Sequence, residues 1–305
     1  MKTIQTTAAK IQRLEIQGAR NIAVAAIKAV KALATETKTR DKQEFLKELA
    51  EAKTTLFASR ETEPLMRNAV RWILNQVEES SSIEVKKLAS LVDSAAEQFL
   101  KNLEASKERI AEIGAKRVKN GSVIMTHCHS STVTHLLRQA KLDGKTFEVI
   151  CTESRPVFQG RTTAKEMLEL GVKTTLIVDS AARSFMNQVD QVFMGADALT
   201  SEGNVVNKIG TSMVALIAKE ARTPFYVVSE LLKFDPVTRF GDFEKIEERS
   251  PSEVWEAPPR GLVIRNPAFD ITRRDFVHGI ICEEGIIPPH SIIQVMHRRY
   301  PWISE

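Results

Sequence analysis

The sequence predicts an α/β protein, with a helical N-terminal domain over residues 1–118 and a mostly parallel, doubly wound sheet domain over 119–305. Three observations lead there. Residues 1–118 hold almost no β-prone run and only two glycines, Gly18 and Gly114. From 119 onward, short runs rich in Val and Ile alternate with helical stretches, the pattern that builds parallel sheets from βαβ units. Each of those runs ends in polar residues, as expected where a ligand crevice lies beyond the carboxyl ends of the strands.

Taken in order, the helical part repeats apolar positions at helical spacing, as in Val85, Leu88, Val92, Ala95, Phe99 and Leu103, with Lys, Glu and Asp between them. Gln17-Gly18-Ala19-Arg20 precedes an Ala-rich run from Ile22 to Ala34, so the glycine opens a helix whose first N–H groups point outward. Ala58 to Pro64 is a polar interruption in which Arg60 either caps a helix or faces a ligand. Ser80-Ser81-Ser82 forms a loop before a long helix from Ile83 to about Arg117. The first strand, Gly121 to Thr126, runs into His127-Cys128-His129, and Ser130 follows where a helix begins. Further strands are expected at Phe147–Thr152, Thr175–Asp179, Gln191–Gly195, Phe225–Ser229 and Gly279–Cys282, with helices at Thr163–Leu170, Ser180–Gln188 and Thr211–Ala221. Pro251, Pro258 and Pro259 mark an irregular insertion before a last strand pair, Val263-Ile264 and Gly279–Cys282.

The composition narrows the function. A chain of 305 residues with 43% hydrophobic content supports a sizeable core. It has no apolar run near the roughly 20 residues that cross a bilayer, and its first residues lack the apolar centre of a signal peptide, so a cytoplasmic protein without a membrane partner is expected. The three cysteines, Cys128, Cys151 and Cys282, form neither a disulfide framework nor a zinc pattern. A net charge of +4, with Lys and Arg interleaved among acidic residues, speaks against a nucleic-acid tract and suits a basic pocket for a small anion.

The strand ends gather the chemistry. They supply His127, Cys128 and His129; Glu153, Ser154, Arg155, Gln159 and Arg161; Asp179 and Ser180; Gly195, Ala196 and Asp197; and Ser229, Glu230 and Lys233, while a loop carries Asn207, Lys208 and Gly210 ahead of a helix. No strand is followed by Gly-x-Gly-x-x-Gly or by a P-loop, so a dinucleotide or nucleoside triphosphate loses its usual cradle and no cofactor is implied. Arg155, Lys208 and Lys233, with two or three helix N-termini, suit phosphate groups. His127 and His129 resemble a metal pair, yet Cys128 faces the other way on extended chain and no further ligand is nearby, so no metal is expected. Cys128 is either a buried strand-end thiol or, with its pKa lowered by cations and a helix N-terminus, a base or nucleophile.

These residues also carry a resemblance. Met125-Thr126-His127-Cys128-His129-Ser130, Thr152-Glu153-Ser154-Arg155-Pro156 with Gln159-Gly160, Gly195-Ala196-Asp197, Val206 to Thr211 and Gly285 to Pro289 resemble a superfamily of three groups. Those are the alpha, beta and delta regulatory subunits of the exchange factor for translation initiation factor two, the methylthioribose-1-phosphate isomerases, and the archaeal ribose-1,5-bisphosphate isomerases. The resemblance spans nearly the whole chain and implies a Rossmann-like sheet domain behind the helical one. It implies Cys128 and Asp197 as a catalytic pair, a cysteine the regulatory subunits generally lack. Asp179 to Arg183 and Asn266 to Asp270 look more like the ribose-1,5-bisphosphate group. By resemblance, Gly18, Ala19, Arg60, Gln159, Asn207, Lys208 and Lys233 fall at substrate-contacting positions, and Arg155 and Arg20 are further candidates. The family's Arg-Gly-Ala is altered here, with Gln17 in place of the arginine and Arg20 just after. The implied partner is a small phosphorylated sugar. The implied assembly is a homo-oligomer, a dimer or a hexameric trimer of dimers, and the implied role is aldose–ketose isomerisation in AMP salvage.

Overall fold

The structure is a computed structural model that describes residues 1–60, 62–241 and 246–303. These form two compact units, one ending at Ala105 and one beginning at Ser106. The first holds α1 (Lys2–Gln12), α2 (Ala19–Glu36), α3 (Lys42–Phe57), α4 (Pro64–Glu78) and most of α5 (Val85–Ala115). The polar interruptions read from the sequence at 17–20, 58–64 and 80–82 lie at or between its helix ends. α2 buries Ile22, Ala26, Val30 and Leu33, and α4 buries Leu65, Ala69 and Ile73; the two helices pack together. Asp41 caps α3 by accepting the Glu44 N–H at 2.9 Å, a contact of about 1 kcal/mol.

The second unit takes the last turns of α5, because Ile110 and Ala115 pack into the sheet core. Helical periodicity runs on to residue 118, but packing groups 106–118 with the strands that follow. In chain order come β1 (Ser122–Thr126), α6 (Ser131–Leu142), β2 (Phe147–Thr152), α7 (Gly160–Glu169), β3 (Lys173–Ile177), α8 (Ala182–Met186), β4 (Gln191–Met194), β5 (Ala198–Leu199), β6 (Val205–Lys208) and α9 (Thr211–Glu220). Then follow β7 (Phe225–Val228), β8 (Phe269–Thr272), β9 (Gly279–Cys282), β10 (Gly285–Ile287) and α10 (Ile292–Arg299).

Seven of these strands form one sheet in the order β10-β9-β7-β4-β1-β2-β3, parallel except for the β9/β10 hairpin. From β1 the chain builds outward through β2 and β3, then returns to place β4 on the other flank of β1, with Ile124 opposite Gln191 and Met125 opposite Val192. This reversal is a topological switch point, and a crevice opens beyond the strand ends at such a place.

Two sequence expectations give way here. Val263-Ile264 is not a strand; Val263 is 82% exposed. The strand is β8, whose Phe269, with the adjacent Ala268, is buried against Ala198 and Val206. Asn207 and Lys208, expected in a loop, close β6 and pair with Asp270 and Phe269 in a separate antiparallel sheet, β5-β6-β8.

Candidate active site

Cys128 follows β1 and Asp197 follows β4, so both stand at the switch point. The chain turns at Cys128 with φ 65°, a left-handed conformation that a non-glycine residue adopts only when its surroundings impose it. Here they do. The Cys128 N–H donates to Ser154 Oγ at 2.7 Å, its carbonyl accepts the Thr163 hydroxyl at 2.8 Å, and its Sγ donates to Gln159 Oε1 at 3.5 Å. Ser154 is itself left-handed, and the Asp179 carboxylate holds it by accepting the N–H groups of Ser154 and Arg155 at 2.8 and 2.7 Å. Asp179, at the end of β3, thus braces the turn that places Cys128.

The flanking histidines are committed to structure. His127 is buried; desolvation lowers its pKa, and it is neutral. Its Nε2–H donates to the Ile209 carbonyl at 2.8 Å, which leaves Nδ1 to accept the Thr152 hydroxyl at 2.5 Å. Gly210 must be glycine for this: φ is 102°, and a Cβ would sit 2.9 Å from the His127 ring. Thr163 has spent its proton on Cys128, so His129 Nδ1 is the donor in their 3.2 Å contact. Among the described residues no group of three or more His, Cys, Asp or Glu is placed to hold a metal ion, and no helix is long and apolar enough to cross a membrane.

Burial pushes the Cys128 thiol up to about 11; the Lys208 ammonium and a backbone hydrogen bond pull it down, and Asp197 and Asp179 push it further up. The expected lowering is therefore reversed, because desolvation outweighs the cation. Asp197 is half-buried, and its N–H donates to the Val206 carbonyl at 2.9 Å. Ahead of it, Gly195 presses on the N-cap of α6: a Cβ there would lie 2.7 Å from Ser130 Oγ.

The cations divide. Lys208 reaches over the Phe269 ring at 5.2 Å and acts on Cys128. Lys233 is buried; its Nζ donates to the Ala196 carbonyl at 2.8 Å and pairs with Glu230 at 3.3 Å. Asn207 is buried beside Thr211, to which its Nδ2 donates at 2.9 Å. Arg155, by contrast, is exposed and turned to the Val254 carbonyl at 3.1 Å. The N-terminus of α9, expected to face an anion, is filled by Asp270, which accepts the Gly210 N–H at 2.8 Å and the Ser212 N–H at 3.1 Å. Burial raises the Asp270 carboxyl to about 6 despite those two bonds.

Within the first unit, Gly18 is the N-cap of α2 with φ 82° and Ala19 its first residue. The Arg20 guanidinium donates to the Leu103 carbonyl at 2.9 Å and pairs with Glu104, so it does not fold back over the Gly18 turn. Arg60 lies 3.4 Å from Glu63. Asp179 was read from the sequence as a strand-end residue without a role, and Thr163, Asp270 and Glu283 were not among the site residues. Asp179 ends an apolar run and Asp270 a family-like motif there, but nothing local shows which amides they reach.

Residues 15–289 match the Initiation factor 2 subunit family. The chain belongs to that family. Its family relatives include a protein named ribose 1,5-bisphosphate isomerase from Archaeoglobus fulgidus, 42% identical over 100% of this chain and 96% of that protein. The protein of the same name from Thermococcus kodakarensis is 40% identical over 99% of this chain and 96% of its own length. A methylthioribose-1-phosphate isomerase from Thermoanaerobacter is 32% identical over 94% and 88%. Among solved structures, a translation initiation factor eIF-2B from Pyrococcus horikoshii superposes with a TM-score of 0.82 at 32% identity, over 94% of this chain and 97% of that one. The 5-methylthioribose 1-phosphate isomerase of the same organism gives 0.80 at 29% identity, over 97% and 87%.

Proposed function

We propose that the chain is an aldose–ketose isomerase converting ribose 1,5-bisphosphate to ribulose 1,5-bisphosphate in AMP salvage. The observation that carries this reading is the pair Cys128 and Asp197 beyond the adjacent strands β1 and β4, with Lys208 acting on the thiol. Full-length relatives of that name at 40–42% identity support it.

The substrate is a ring closed at a phosphorylated anomeric carbon. Asp197 delivers a proton to the ring oxygen as the C1–O4 bond breaks, and Cys128 as thiolate takes the proton from C2. The product of that step is an open-chain enol phosphate with a C1=C2 double bond. Cys128 then returns its proton to C1 while Asp197 recovers one from the C2 hydroxyl, so the ketone forms and both groups regain their starting state. Each general acid or base step of this kind contributes about 10²–10⁴-fold. Lys208 and Lys233 stabilise phosphate and enolate charge, and Gln159 and Asn207 orient the hydroxyls. Gly18, Ala19 and Arg60 are proposed contacts on resemblance alone, Arg155 for its guanidinium and Arg20 for its place beside the altered motif, the last two being otherwise engaged in this structure. A homo-oligomer is part of the same proposal, and sedimentation at micromolar concentration tests it.

The eIF-2B structure at 32% identity favours a second reading, a non-catalytic regulatory subunit that senses a sugar phosphate or nucleotide. Purified protein given ribose 1,5-bisphosphate, with ribulose 1,5-bisphosphate followed over time, separates the two. Turnover upholds the isomerase; binding without turnover upholds the sensor; turnover of methylthioribose 1-phosphate in its place moves the chain to that isomerase group.

A further inference from the structure

Behind Asp197 lies a run of buried polar groups of which the reaction above uses only Lys233. Glu283, just past β9, is 9% exposed, and burial pushes its carboxyl up to about 7, with the charge of Glu230 acting in the same direction. Its two oxygens accept the Leu231 N–H at 3.3 and 3.1 Å, and one of them also accepts the Tyr300 hydroxyl at 2.9 Å. Leu231 opens a single 3₁₀ turn, Leu231–Lys233. That turn ends in Lys233, whose ammonium holds the Ala196 carbonyl and Glu230. Ala196 is the residue before Asp197. The neighbouring Glu284 is occupied by Arg298 and Arg299, at 3.6 and 3.0 Å, so α10 is anchored by its own ion pairs without Glu283.

Burying the Glu230–Lys233 pair with a second carboxyl, Glu283, close by is expensive, and apolar residues of similar size would pack that space more cheaply. A tail anchor does not need such a network, since Arg298 and Arg299 supply one. What the network adds is direction: Glu283 ends on the Leu231 amide and Lys233 on the Ala196 carbonyl. We propose that Glu283 and Tyr300 are positioning residues, with Tyr300 holding Glu283 on the Leu231 amide so that the Lys233 turn fixes the Ala196–Asp197 corner. The kinetic consequence of this rests on the isomerase reading; the structural coupling does not.

The test uses the full chain and two variants, Glu283→Gln, which keeps an acceptor for Leu231, and Tyr300→Phe, which removes one hydroxyl. Backbone hydrogen exchange is followed by mass spectrometry in wild type and variants. Exchange rises about tenfold in the segments holding 230–233 and 195–197, while β1 and β2 keep the wild-type rate. In turnover of ribose 1,5-bisphosphate, kcat falls about tenfold and KM stays within about threefold, because the acid is misplaced while Lys208, Asn207 and Gln159 keep their places. Faster exchange at 230–233 with 195–197 unchanged overturns the proposal, as does an unchanged kcat in either variant. If wild type shows no turnover but the exchange of 195–197 follows Tyr300, the isomerase reading fails and the positioning stands. Should Glu283→Gln not fold, Tyr300→Phe decides alone.

Discussion

The ends of β1 and β4 are neighbours in one sheet, yet their two reactive residues are held by opposite means. Cys128 is buried and fixed through its own backbone, its N–H on Ser154 and its carbonyl on Thr163. Asp197 is half-buried, and beside its own N–H on the Val206 carbonyl a side chain grips the residue before it, through Lys233 on the Ala196 carbonyl. A buried thiol is a strong base once ionised but is seldom ionised, so its placement has to be accurate and a nearby cation has to help. A half-buried carboxyl is open to solvent on one side, so its aim depends on the backbone behind it.

Breaking either end is expected to have the largest effect. Cys128→Ser should lower kcat about 10³-fold while substrate affinity measured by calorimetry stays within about tenfold, because a hydroxyl is a far weaker base at neutral pH. Asp197→Asn should bind substrate and lose turnover to a similar extent, an amide having no proton to give.

The brace under Cys128 comes next. Asp179→Asn leaves an amide where a carboxylate now receives two N–H groups, so the left-handed turn loosens and kcat should drop about tenfold. Unchanged kinetics in this variant would remove Asp179 from the account.

The pH dependence sharpens the same contrast. Because burial raises the thiol from its ordinary 9.0 to about 11, thiolate grows as pH rises, and the rate at which a small alkylating reagent modifies Cys128 should climb about tenfold per unit between pH 7 and 9. Lys208→Met removes the cation that opposes this shift and should move the curve to higher pH. An alkylation rate flat across that range would argue against the raised thiol. The same shift bears on stability: a folded-state pKa above the unfolded one gives a contribution intact below pH 9 and lost as pH rises through about 11. The smallest effect lies further off, at α9. Asp270→Ala removes the acceptor at its N-terminus and should cost about 1 kcal/mol, read as a lower melting temperature.

Much of this was legible in the sequence, for reasons that particular residues show. β1, β2, β4, β7 and β9 are buried on both faces and therefore read as unbroken apolar runs such as Val-Ile-Met and Tyr-Val-Val. The small sheet was not legible. β5 is Ala198-Leu199 alone, and β6 ends in Asn207 and Lys208, residues that suggest a loop when nothing shows Asp270 and Phe269 beside them. Val263 and Ile264 misled because a short apolar pair looks the same whether it packs or stays exposed. Cys128 and Asp197 were visible as strand-end residues. The direction of the thiol's shift was not, since a sequence shows the charges near a group but not how much water is excluded from it. Asp179 was visible as a strand-end residue and Asp270 within a family-like motif, but their bracing roles and Glu283 were not, because each acts on an amide in a distant segment and no spacing rule links them.

The place of β4 in the sheet has one more consequence, and it concerns time. Cys128 is made in the first βα unit, but its partner arrives only after the chain has passed through β2 and β3 and returned to the other flank of β1. Parallel pairing across such a stretch closes a long loop before any contact repays its entropy, and it is slow beside helix formation. In refolding, the helical signal should therefore return first and turnover only later, with the delay measuring how long β4 takes to find β1.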